Sequence, residues 1–134
     1  GNPVFDIRNN SVIETATNRL IAGAILSSKI HESVTTIGKE AFYESCIASV
    51  DLHAGITTIE DYAFDYSDIT QIICRATTPP TLGESPFRLT NYSGRMKVPE
   101  ESISLYRSSW FLTDVGYLGW TNYRWGLVAL AEGE

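Results

Sequence analysis

The sequence predicts a mainly β fold with short helical turns: a stack of three to four coils of about 22 residues, closed at both ends. Three observations predict it. The chain repeats itself at a fixed interval, each copy carries short alternating apolar runs, and the pattern fades towards both termini.

The repeat is plain when residues 34–54, VTTIGKEAFYESCIASVDLHA, are set against residues 56–76, ITTIEDYAFDYSDITQIICRA. At an offset of 22, eight of 21 positions are identical, among them Thr35/Thr57, Ile37/Ile59, Phe42/Phe64 and Ile47/Ile69. Val34/Ile56, Val50/Ile72 and Leu52/Cys74 are apolar in both copies. Matches fall where a core constrains the residue type, whereas polar positions such as Glu40/Tyr62 vary. Leu82 and Phe87 keep the spacing of Ile37 and Phe42, and Met96 and Val98 answer Ile72 and Cys74 at an offset of 24. Upstream, Leu20, Ile25 and Ile30 precede Phe42, Ile47 and Leu52 by 22, which reads as a degenerate first coil.

Within each copy, Val50-x-Leu52 and Ile72-x-Cys74 suit short strands. The β-branched runs Val34–Ile37 and Ile56–Ile59 favour a second extended segment. Residues 40–44 and 62–66 are too short for a stable helix and read as single helical turns that drop Phe42 and Phe64 into the core. Parallel stacking of the coils, about 4.8 Å apart, then sets Phe42 beside Phe64. Ends of such a stack must not expose raw core. Ser11–Ile21 alternates around Ala16-Thr17-Asn18 and reads as a covering hairpin. Pro99-Glu100-Glu101 opens a short amphipathic helix, with Ile103, Tyr106 and Trp110 on one face.

One domain spanning 1–134 is expected: hairpin and degenerate coil at 10–32, repeats at 33–98, C-terminal cap at 99–134. The net charge of −6 and the absence of a basic run argue against nucleic-acid binding. No apolar stretch is long enough to span a membrane, so no membrane insertion is expected. The chain opens on Gly1-Asn2-Pro3 rather than Met, which reads as a trimmed start from which an export signal has been removed. Cys46 and Cys74 fall at different repeat positions, so two buried, reduced thiols are expected.

The phrase Ser33-Val-Thr-Thr-Ile-Gly-Lys-Glu-Ala-Phe42, echoed by Ile56-Thr-Thr-Ile-Glu-Asp-Tyr-Ala-Phe64, resembles the BspA-like (Treponema-type) leucine-rich repeat of bacterial surface proteins. Cys74–Leu82 is similar to that family's final coil, Val98–Tyr106 to its C-terminal cap and Ile13–Ile21 to its N-terminal hairpin. The resemblance implies a right-handed leucine-rich-repeat solenoid with a parallel sheet on one face. It also implies protein binding or adhesion at a bacterial surface after export, and no catalytic residues. His31, His53 and Arg75 replace the usual Pro after the strand, and Trp110–Tyr117 reads as an insertion in the cap.

No GxSxG, P-loop, HExxH or GxGxxG pattern is present, and neither catalytic residues nor a cofactor is expected. His31 and His53, 22 residues apart with Arg75 next in line, stack on adjacent coils. A zinc site needs three or four ligands, and the repeat fixes no third, so these read as solvent-exposed residues and no metal is expected. Trp110, Tyr117, Trp120, Tyr123 and Trp125 form an aromatic cluster that either seals the last coil or stacks on a sugar or protein partner. Lys39 and Asp61 align as a surface ion pair, and Thr35/Thr57 and Thr36/Thr58 form ladders on the sheet surface. The expected function is a non-catalytic extracellular module presenting its repeats to a protein ligand. The alternatives are a glycan-binding module using the aromatic cluster, and a structural spacer.

Overall fold

A computed structural model describes residues 4–8, 11–14, 17–22, 30–87, 95–111, 126–131 and 133. Its strands are β1 (Phe5–Arg8), β2 (Ser11–Glu14), β3 (Arg19–Ala22), β4 (Thr36–Ile37), β5 (Ser49–Leu52), β6 (Thr58–Ile59), β7 (Gln71–Cys74), β8 (Thr81–Leu82), β9 (Arg95–Val98) and β10 (Gly126–Ala129). They form two sheets. One runs β1-β2-β3-β4-β6-β8, antiparallel through β3 and parallel beyond it; the other, β10-β9-β7-β5, is parallel throughout.

The 22-residue register is visible atom by atom. Ile37 pairs with Ile59 and Ile59 with Leu82 in the first sheet. Val50 pairs with Ile72, Leu52 with Cys74 and Ile72 with Met96 in the second. Burial alternates along β5 and β7, because one side chain in two faces the core. Between the sheets, the rings of Phe42, Phe64 and Phe87 stack at 5.0 and 5.4 Å, within 9° and 2° of parallel. Trp110 leans on the end of this stack, 5.9 Å from Phe87.

The turns depart from the expected helical ones. Over residues 38–45 the bonds Ala41 N–H to Gly38, Tyr43 N–H to Glu40 and Ser45 N–H to Phe42 close three successive β-turns. Glu40 and Glu44 are left-handed (φ 56° and 55°), as are Tyr62 and Tyr66 one repeat on. Such a backbone is costly for residues with a side chain. Here the alternation of hands turns every second N–H along the stacking direction. The Glu40, Phe42 and Glu44 N–H groups donate to the Asp61, Ala63 and Asp65 carbonyls, and Tyr62 and Phe64 to those of Glu84 and Pro86. An α-turn would bond within itself and leave adjacent repeats unjoined.

The hairpin forms as β2 and β3, with Asn18 left-handed at its turn (φ 53°), a conformation Asn tolerates. Strand β1, which the sequence did not suggest, pairs outside β2. The upstream register is corrected: Leu20 pairs with Ile37, not at the level of Phe42, because β3 joins the sheet directly and Gly38 N–H donates to the Leu20 carbonyl. Ile30 is buried, and Ile25 lies outside the described residues. Gly38 is required at this junction, since a Cβ there would collide with that same Leu20 carbonyl.

Residues 100–111 wind as a 3-10 turn (Glu100–Ser102), the α-turn α1 (Ile103–Tyr106) and a wider π-type segment (Arg107–Phe111). Tyr106 and Trp110 face inwards from it and are buried, with Ile103 packed beside the core. β10 then pairs in parallel with β9, setting Leu127 level with Met96 and Ala129 level with Val98.

Candidate interaction surfaces

The turns project one feature that the sequence reading passed over. Tyr43 and Tyr66, 42 % and 47 % exposed, meet edge to face with centroids 5.6 Å apart and planes at 68°. Each stands where the other repeat carries an acid, Asp65 opposite Tyr43 and Glu44 opposite Tyr66. That was the available signal: an aromatic at a position the core does not constrain is held outside. Glu40 and Glu44 are exposed on the same turns.

The expected histidine row exists but is half-buried and fastened rather than solvent-exposed. His53 Nδ1 accepts the Gly55 N–H (3.0 Å), which places the ring proton on Nε2, and Nε2 donates to the His31 carbonyl (3.1 Å). His31 Nδ1 accepts the Ser33 N–H (3.1 Å) and lies 2.8 Å from its hydroxyl. Arg75 forks onto both Asp51 carboxylate oxygens at 2.9 Å. Each imidazole therefore closes the turn after its own strand. Among the described residues no group of three His, Cys, Asp or Glu is placed to hold a metal.

The expected Lys39–Asp61 ion pair does not form. Asp61 instead accepts the Glu84 N–H (2.7 Å), and Glu60 takes both the Arg19 guanidinium and the Lys39 N–H (3.1 Å). These groups line a groove of about 240 Å³ beside β6 and β8, whose acids are already occupied in tying repeats together. The Thr57 hydroxyl donates to the Thr35 carbonyl, so one step of that ladder serves the backbone.

Of the aromatic cluster, Trp110 is withdrawn from any ligand. It is 1 % exposed, its Nε1–H donates to the Pro80 carbonyl (3.1 Å), and Tyr106 meets it edge to face at 5.0 Å. Tyr117, Trp120, Tyr123 and Trp125 lie outside the described residues. The cysteine expectation is half corrected. Both thiols are free, but Cys46 is exposed because it sits on the turn side, level with Asp68. Cys74 is buried under Tyr106, whose hydroxyl donates to the Ala76 carbonyl (2.7 Å) and lies 3.1 Å from the sulfur. Burial pushes the Cys74 thiol up to about 11, only partly offset by the bonds from Tyr106 and Ala76.

Parallel sheets joined at a 22-residue interval, with short strands and one buried aromatic stack, define a leucine-rich repeat protein. The comparison with family descriptions is specific: the BspA type leucine rich repeat region matches residues 22–115 in six copies, and the chain belongs to that family. Comparison with curated proteins and with solved structures gives no match. Repeats of this family generally serve as non-catalytic scaffolds for protein interaction. No helix among the described residues is long and apolar enough to cross a membrane.

Proposed function

We propose that this chain is a non-catalytic adhesion module displayed outside a bacterial cell, which presents its repeats to a protein ligand. In this reading residues 1–134 act as one unit, a right-handed solenoid of three to four coils closed by the N-terminal hairpin and by the segment after Val98. The family's association with bacterial surface proteins supports the location. The observation that carries the binding role is the exposed Tyr43–Tyr66 pair. Tyrosine supplies large contact area with few rotatable bonds, which makes it a common anchor in protein interfaces. The backbone beneath the pair is tied from repeat to repeat, so little ordering remains to be done on binding.

His31, His53 and Arg75 support the fold in this reading rather than the ligand. The glycan alternative rests on Tyr117, Trp120, Tyr123 and Trp125; the Tyr43–Tyr66 rings, at 68°, offer no flat platform for a sugar. A panel of purified extracellular-matrix proteins and glycans, probed with the parent, a Tyr43→Ala/Tyr66→Ala variant and a Trp120→Ala/Trp125→Ala variant, tests the proposal. Protein capture that is lost in the tyrosine variant supports it. Glycan capture that is lost only in the tryptophan variant overturns it.

A further inference from the structure

We propose that the Tyr43–Tyr66 ridge receives an arginine side chain of the protein partner, seated against the two phenol rings and paired with the carboxylates of Glu40 and Glu44. The inference rests on the reading that this ridge is the docking surface, and adds the chemistry of what docks there.

The ridge is both aromatic and anionic. An aromatic face carries negative potential and attracts a cation held within about 6 Å of the ring centre. Two rings meeting edge to face leave a corner between them, and a flat cation fits it better than a compact one. The acids that frame the corner are available. Glu40 and Glu44 are exposed, and neither forms an ion pair among the described residues. The charges that reach the Tyr43 hydroxyl come from Glu44, Tyr66, Asp65 and Glu40, with no cation among them. Contrast the groove by β6, where Arg19 already satisfies Glu60.

The frame is also set before binding. Glu40, Glu44 and Tyr66 are left-handed at φ 55–56°. The Glu40 and Glu44 N–H groups are bonded to the next repeat at 3.2 and 3.0 Å. A backbone that cannot relax places its side chains with little entropy left to lose. Arginine suits the corner for two reasons: its plane stacks on a ring, and its fork of N–H donors matches a carboxylate, whereas lysine offers a point charge. The chain's net charge of −6 favours approach of a basic segment from a distance.

The test is a titration of the isotope-labelled full chain with the peptide acetyl-Gly-Arg-Gly-Arg-Gly-amide, followed by amide NMR. The same peptide with citrulline for arginine keeps the shape and removes the charge. Expected are shifts confined to residues 40–44 and 62–66, and about tenfold weaker binding of the citrulline peptide. High salt should weaken the arginine peptide towards the level of its citrulline twin. Glu40→Gln/Glu44→Gln and Tyr43→Leu/Tyr66→Leu, checked for an unchanged melting temperature, should each lower affinity. Equal binding of the two peptides at the ridge would overturn the arginine proposal while leaving the docking surface intact. Shifts that map elsewhere, or none, would overturn both the proposal and the choice of ridge.

Discussion

Phe64 shows most directly how one side chain holds this protein. It is fully buried and has a parallel ring on each side, Phe42 and Phe87. Phe64→Ala removes two stacked contacts as well as its buried area, and should cost about 3–5 kcal/mol in urea unfolding. Phe42→Ala should cost less, since Phe42 stacks on Phe64 alone among the described rings. Gly83 acts by what it lacks. A Cβ there would lie 2.6 Å from the Asp61 nitrogen and would strike the Asp61 carboxylate that accepts the Glu84 N–H. Gly83→Ala should therefore destabilise by about 1–3 kcal/mol through forced spreading of two repeats, readable as a lowered melting temperature. The cysteines separate cleanly. A thiol reagent should label one group, Cys46, in the folded protein, and reach Cys74 only after unfolding. Cys74 also gives a pH signature. Its folded pKa is about 11 against an ordinary value near 9, so the folded state keeps a proton that the unfolded chain has released. Stability from this group is complete below about pH 9 and is lost as pH rises towards 11. Buried Tyr106 shifts in the same direction, so Cys74→Val should reduce the alkaline loss of stability without abolishing it.

Among elements, the turns are the unusual ones. Their left-handed residues would each be disfavoured by about 1–2 kcal/mol in isolation. The bonds from one repeat to the next hold them in place. Glycine at Glu44 would adopt the same backbone without strain and pay instead in unfolded-state entropy, so Glu44→Gly should shift the melting temperature little. Glu44→Val, β-branched at φ 55°, should lower it clearly. A small effect of the valine variant would mean that the turn relaxes away from the left-handed form. By contrast, the Arg75–Asp51 fork is about one-third exposed and screened by water. Its removal should cost roughly 0–1 kcal/mol.

For the whole molecule, the open question of any stacked repeat is how its last layer is covered. After Phe87, Met96 and Val98, the apolar material among the described residues comes from Tyr106, Trp110 and Leu127. Removing residues 100–134 would uncover the end of the phenylalanine stack and the outer edge of β9. Exposed core beside an unpaired parallel edge invites association. The truncated chain should bind a hydrophobic dye and aggregate on size-exclusion chromatography. A truncated chain that runs as a folded monomer would show that this segment is dispensable and free for another role.

The sequence by itself determined the period, the pairing of Ile37 with Ile59 and of Leu52 with Cys74, the phenylalanine stack, and the hairpin before the repeats. These rest on apolar positions, and a buried position constrains residue type strongly enough to be seen in two copies. The tertiary structure decided what polar positions do. Lys39 and Asp61 align in the repeat yet bond elsewhere, because Arg19, 41 residues from Glu60, arrives only through the hairpin. His31 and His53 read as a surface pair and turn out to fasten backbone. Leu20 matched Phe42 by spacing and joined Ile37 instead, because an antiparallel strand entering a parallel sheet resets the count. Tyr43 and Tyr66 carried no shared position to mark them. Their contact is diagonal, one residue off the repeat, and exists only because the turns hold adjacent layers in contact.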